Sequence, residues 1–208
     1  MIAAMEQLIP QPTKRMTEQE YLRMEEAAET KHEFWHGTII DMAGATTDHV
    51  AIATNFLVEL GSRLKGKPCK PYNSDLRVRV KETGNYCYPD VTVICGPIEY
   101  ARPDRRTIIT NPQVVIEVAS PSSEARDIGE KFDDYRQIPS LQEYFLVSQD
   151  RARVQSFYRQ TDGVWAFGPS YVAMNQAVKF RTLGCEIPLT EIYAGVEFPP
   201  APVRTPEV

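Results

Sequence analysis

The chain has no C-x-x-C pair, no G-x-x-x-x-G-K-[ST] loop, no G-x-G-x-x-G turn and no G-x-S-x-G elbow. The first absence removes the zinc ribbon and the thioredoxin-like redox pair. The next two remove the usual phosphate cradles, so no nucleotide cofactor is expected. The last removes the serine nucleophile of α/β-hydrolases. No apolar run approaches the length of a membrane-crossing helix, and residues 1–15 lack the apolar centre and basic flank of a secretory leader. The expectation is a cytoplasmic protein with no membrane partner. Four cysteines (Cys69, Cys87, Cys95 and Cys185) are too few for a disulfide framework in 208 residues, which predicts reduced thiols. Positive charge is also short: 23 Lys and Arg stand against 28 Asp and Glu, a net charge of −5. A protein that coats DNA nonspecifically is usually basic, because phosphate neutralisation drives such binding. The acidity argues against a passive coat but not against an enzyme with a metal in its cleft.

What is present fits one substantial core. Residues 1–15, with Pro10 and Pro12, read as a flexible arm; 16–198 as a single domain; 199–208, rich in proline, as a disordered tail. Thr17-Glu18-Gln19-Glu20 is a capping box for a short helix ending near Ala28. Lys31 to Met42, centred on His36-Gly37, reads as a hairpin. Val50, Ala53, Leu57, Leu60 and Leu64 recur at spacings of three and four, the buried stripe of a helix from about Asp48 to Lys65. Leu76, Val78 and Val80 alternate with arginines as a half-buried strand. Residues 86–94 and 114–120 are continuous apolar strands of central type. A long helix capped by Ser122 or Ser123 follows to Gln137, then strands over Glu143–Val147, Val154–Arg159 and Val164–Gly168. The fold class is α/β or α+β, a curved mixed sheet with one helix on each face.

Within those apolar strands sit two carboxylates. Glu117 has Val114-Val115-Ile116 before it and Val118-Ala119 after it, and Pro89-Asp90 opens Val91-Thr92-Val93-Ile94. Burying an unpaired carboxylate is expensive, so a partner is expected: a cation, a metal or a proton. Paired strands would point both acids to one edge, a hard-oxygen donor set suited to Mg²⁺ or Mn²⁺. Such an ion polarises a phosphodiester and lowers the pKa of its bound water. Lys131, on the following helix, could orient that water or balance charge on phosphorus.

The segment Ile116-Glu117-Val118-Ala119-Ser120-Pro121-Ser122, with Pro89-Asp90 before it, resembles the Uma2 or DUF820 group of the PD-(D/E)xK nuclease superfamily. Lys31-His32-Glu33-Phe34 with His36-Gly37 resembles the group's early Tyr-Glu-Leu-x-Asp-Gly segment. His49, Arg126-Asp127-x-x-x-Lys131-x-x-x-Tyr135 and Glu143-Tyr144-Phe145-Leu146-Val147 extend the resemblance over roughly residues 16–198. It implies a restriction-endonuclease-like core and a nuclease acting on nucleic acid, DNA first. Asp90 and Glu117 would hold the metal, with Glu33 contributing. A homodimer is a natural form for such enzymes when they cut two strands. Two departures stand out. The superfamily pattern expects lysine where this chain has Ala119, and Lys131 would replace it; His36 stands where the group usually shows an acid. His49 either assists in the cleft or caps its helix, and Tyr135 either packs in the core or orients Lys131.

Two other readings remain. The acidic pI and displaced lysine are also those of a binding or interaction protein that no longer cuts. His32-Glu33-Phe34-Trp35-His36 spells H-E-x-x-H, the zinc-protease motif, for which Glu59 would be a distant third ligand. Gly37 and the β-branched run Thr38-Ile39-Ile40 argue against the helix that motif requires.

Overall fold

A computed structural model describes residues 15–42, 44–120 and 123–198; the expected tail, Ser122 and all of the expected arm but Arg15 lie outside the described residues. Helix α1 (Glu18–Ala27) starts at the capping box: the Thr17 hydroxyl accepts from the Glu20 amide, and the Thr17 amide donates back to the Glu20 carboxylate at 2.8 Å. Strands β1 (His32–Trp35) and β2 (Thr38–Asp41) form the expected hairpin. Its turn has φ of 46° at His36 and 87° at Gly37, the left-handed pair a two-residue hairpin requires.

Helix α2 (Thr47–Arg63) is capped by the Thr46 hydroxyl. Its buried stripe is shifted from the one the spacing predicts: Leu60 and Leu64 are buried and Ala53 and Leu57 pack against the core, but the stripe's start is replaced. Ile52, Phe56 and Leu60 are fully buried, whereas Val50 is 51% exposed. Each of the three is worth about 1.5–3 kcal/mol when buried, so they set the rotation of the helix and turn Val50 outward.

The chain continues through β3 (Cys69–Asn73) and β4 (Arg77–Val80), then β5 (Asn85–Cys87) and β6 (Val91–Cys95). The single strand expected over 86–94 is therefore two. Pro89 has no amide to give a ladder, and the chain changes sheets at Tyr88-Pro89-Asp90. In β4 the arginines do not both face water: Arg77 is buried, its guanidinium 5.4, 5.9 and 5.3 Å from the ring centres of Tyr21, Tyr86 and Tyr88. Next come β7 (Tyr100–Arg102), β8 (Arg105–Ile109) and β9 (Val114–Ala119).

The long helix expected over 122–137 is broken. It comprises α3 (Glu124–Arg126), a π turn over Asp127–Lys131, and α4 (Phe132–Tyr135). Ser123 holds the N-cap position without a capping hydrogen bond. The Tyr144 hydroxyl donates to the Asp127 carbonyl at 2.9 Å, a side-chain insertion of the kind that widens a helix locally. The chain closes with β10 (Glu143–Ser148), β11 (Val154–Arg159), β12 (Trp165–Tyr171), β13 (Ala177–Phe180), β14 (Cys185–Pro188) and α5 (Leu189–Ile192).

These strands form a sheet of order β2-β1-β5-β4-β8-β7, a second of order β12-β11-β10-β9-β6-β3, and the hairpin β13-β14. Both larger sheets are mixed: β4–β8 and β9–β10 are parallel and their other pairs antiparallel. The α/β class holds, with two sheets in place of one. Alternation along β9 decides the layers. Val114, Ile116 and Val118 join α2 in one core, while Val115 and Ala119 join Tyr135, Leu141, Val78 and Trp35 in the other. Glu117, between Val115 and Ala119, shares their parity and faces the second layer. The expectation of four reduced thiols is corrected for two of them: Cys69 and Cys95, opposed across β3 and β6, form a disulfide, and Cys87 and Cys185 are free.

Candidate functional site

The β6–β9 register pairs Val91 with Ile116. Asp90 immediately precedes β6 and so lies beside the Glu117 end of that pairing. The two acids are also joined through the main chain, since Asp90 Oδ2 accepts the Val118 amide at 2.7 Å. Asp90 Oδ1 meets His49 Nε2 at 2.9 Å. Burial works against a charged His49 imidazole, but the hydrogen bond and charge of Asp90 outweigh it and hold its pKa above the usual value. The His49 side chain lies in the cleft lining against Asp90, and Thr46, not His49, caps the helix.

Glu117 is 4% exposed. Its Oε1 accepts from Lys131 Nζ at 3.2 Å and from the Tyr135 hydroxyl at 2.9 Å. Lys131 therefore does reach the acid from the helix, on the face where Ala119 offers only a methyl group. Of the two roles open to Tyr135 the structure shows core packing: the residue is fully buried, and its hydroxyl meets Glu117 and not Lys131.

Lys131 is shared. Its ammonium lies 3.2 Å from Glu33 on β1, 3.2 Å from Glu117 on β9 and 3.7 Å from Asp127 one turn back. Burial would lower its pKa, but these three carboxylates hold it well above the usual lysine value. Burial would raise Glu33; Lys131, Arg126 and the Tyr88 amide overcome it and hold Glu33 low. Glu117 goes the other way. Burial pushes it up to about 8, Lys131 pulls it down, and Asp90, Asp127 and Glu33 add to the rise.

All five residues expected at the site, Glu33, His49, Asp90, Glu117 and Lys131, thus fall in one connected network. Asp127 and Arg126 join it without having been assigned a role from sequence. Arg126 contacts Glu33 Oε2 at 3.1 Å and lies 5.0 Å from the Trp35 ring centre. The signal for Asp127 was its position four residues before Lys131, which puts both on one helix face. The H-E-x-x-H segment is a hairpin, not a helix. His32 Nδ1 pairs with Glu25 at 2.9 Å, and His36 lies in the turn. Glu59 pairs instead with Arg63.

A cleft of about 610 Å³ opens over this network, with Asp90 and His49 in its lining. Among the described residues, no three His, Cys, Asp or Glu side chains converge as a ready-made metal cage. A magnesium site needs none: one or two carboxylates suffice, with water and phosphate completing the shell. Asp90 and Glu117 fit that role on their donor chemistry. They are near enough for the charge of Asp90 to act on Glu117, which burial and neighbouring negative charge drive toward its neutral form, a cost a divalent cation removes.

Residues 18–183 match the Uma2 family model, described as "Putative restriction endonuclease". Two uncharacterized proteins of Synechocystis sp. are similar over most of the chain. One is 35% identical over 189 residues, covering 90% of this chain and 96% of that protein. The other is 37% identical over 153 residues, covering 74% and 86%. Among solved structures, a crystal structure of "a putative nuclease belonging to DUF820" from Anabaena variabilis superposes with a TM-score of 0.70 at 16% identity, over 86% of this chain and 97% of that one. At that identity the likeness is one of fold.

Proposed function

The chain belongs to the Uma2 family, and from that premise we propose that it is a Mg²⁺- or Mn²⁺-dependent nuclease hydrolysing phosphodiester bonds. The observation that carries this reading is the meeting of Lys131 with Glu117 at 3.2 Å, from an element other than the one the superfamily pattern uses. In this reading Asp90 and Glu117 hold the ion, which supplies a polarised phosphoryl group and a more acidic bound water. His49 and the Val118 amide fix the orientation of Asp90. Glu33 and Asp127 would keep Lys131 charged, and its ammonium would orient the attacking water or balance charge on phosphorus. The test is cleavage of labelled DNA and RNA with Mn²⁺, Mg²⁺ or EDTA. Glu117→Gln and Asp90→Asn should each abolish metal-dependent cleavage with the circular dichroism spectrum retained. Undiminished cleavage by both variants refutes the assignment.

A second reading rests on the same ammonium. The three donors of Lys131 already face three carboxylates, an arrangement also suited to a non-cutting interaction protein. Absence of Mn²⁺ binding by calorimetry, with no hydrolysis of any nucleic acid, would select it.

A further inference from the structure

Helix α2 carries two apolar faces where one would suffice to bury it. Ile52, Phe56 and Leu60 fill the core. Val50, Ala53 and Leu57, spaced by three and four, also line the cleft; Ala53 and Leu57 are partly buried against that core, while Val50 is 51% exposed. This second face begins one residue after His49, whose imidazole holds Asp90. These apolar side chains therefore lie in the same lining as Asp90. The lining also holds the polar groups of Asn73, Ser74, Ser123 and Gln149.

Size and charge narrow what fits there. A cleft of about 610 Å³ lies within the range that encloses a small ligand, a volume comparable to one or two nucleotides. Among the described residues Lys31 is the one lysine or arginine in the lining, and it is engaged by the Ser74 carbonyl and the Asp75 carboxylate. With a net charge of −5 as well, the cleft is poorly equipped to track a run of phosphates. It is well equipped to take the flat apolar surface of a base, with amide and hydroxyl groups in the same lining to meet its polar edge.

We propose that this cleft binds an unpaired nucleotide, its base laid against Val50, Ala53 and Leu57 and its phosphate led to Asp90 and Glu117, so that single-stranded or locally unpaired nucleic acid is the substrate. This rests on the nuclease reading for the reaction but not for the binding.

The two are separated by measuring them separately. Binding is read in EDTA, where no metal-dependent cleavage occurs, from the fluorescence of a 2-aminopurine-containing single strand and of the same strand in a blunt duplex. The single strand is expected to bind at least about tenfold more tightly, with a shallow slope of log affinity against log salt, because the lining offers few cations to phosphate. Val50→Asn should weaken single-strand binding at least about fivefold, in the range of a lost base contact. Val58→Asn, equally exposed on α2 but outside the cleft, should leave it unchanged. Equal or tighter binding of the blunt duplex, or equal effects of the two substitutions, overturns the proposal even if the duplex is cut with Mn²⁺. Single-strand binding that depends on Val50, without cleavage in Mn²⁺, supports the cleft assignment and removes the catalytic one.

Discussion

Glu117→Gln should make the metal-free protein more stable while removing its proposed chemistry. In the folded state burial and neighbouring acids push Glu117 from its ordinary value of 4.5 to about 8. Between those values the folded state holds a proton that the unfolded chain has released, so wild-type stability falls as pH rises. The fall is at most ~1.4 kcal/mol per pH unit and levels off above the raised folded-state value. Glutamine has no proton to lose. Lys131 keeps Glu33 and Asp127 as partners in the variant, so its ammonium is not stranded. The difference between the two proteins should be small near pH 4.5, reach about 2–4 kcal/mol at pH 7 and plateau above pH 8. Titrating groups common to both chains cancel in that difference. Urea denaturation of both proteins in EDTA, at pH steps from about 5 to 9, gives the curve directly. A difference independent of pH, or one favouring wild type at high pH, would refute the account of Glu117 as a carboxyl held at a loss for a cation.

Lys131→Met should do the opposite, destabilising the fold by about 3–5 kcal/mol because it leaves buried acids without their counter-charge; denaturation at pH 7 measures it. The pKa of His49 is raised by Asp90, so its contribution is full below the unfolded value of about 6.5 and is lost as pH rises through the folded one. His49→Ala should accordingly cost more stability at pH 5.5 than at pH 9, as thermal melts at the two pH values would show. Tyr144→Phe removes the hydroxyl at the π turn and should cost about 1 kcal/mol; if that bond sets the turn, Mn²⁺-dependent cleavage falls by more than the stability loss explains. Reducing the Cys69–Cys95 bond, which closes a loop of 26 residues, should lower stability by about 3.5 kcal/mol on the chain-entropy relation, measured by denaturation with and without reductant.

Much of the site was legible because its cost was legible. A glutamate amid valines and alanines announces a partner, and Lys131 and Tyr135 sit four apart on the helix that follows. What periodicity could not give is rotation. Val50, Ala53 and Leu57 have the spacing of a core face, and so, with Leu60 shared, does the stripe through Ile52 and Phe56; only the larger side chains decide which one turns inward. The π turn was equally hidden, since it depends on a hydroxyl from a strand that comes later in the chain. The cysteine pair was missed for a related reason. Cys69 and Cys95 are distant in sequence and become neighbours only once β3 lies against β6.

The passage at Tyr88-Pro89-Asp90 has a consequence for how such a protein can diverge. Glu33 belongs to one sheet, Glu117 to the other, and Asp90 to the stretch of chain that joins them. The spacing of the acids is thus a property of the seam between two sheets, and no surface loop holds them. Loop changes can alter what reaches the cleft while leaving the carboxylates where they are. A change in packing between the sheets alters the chemistry even when every acid is retained.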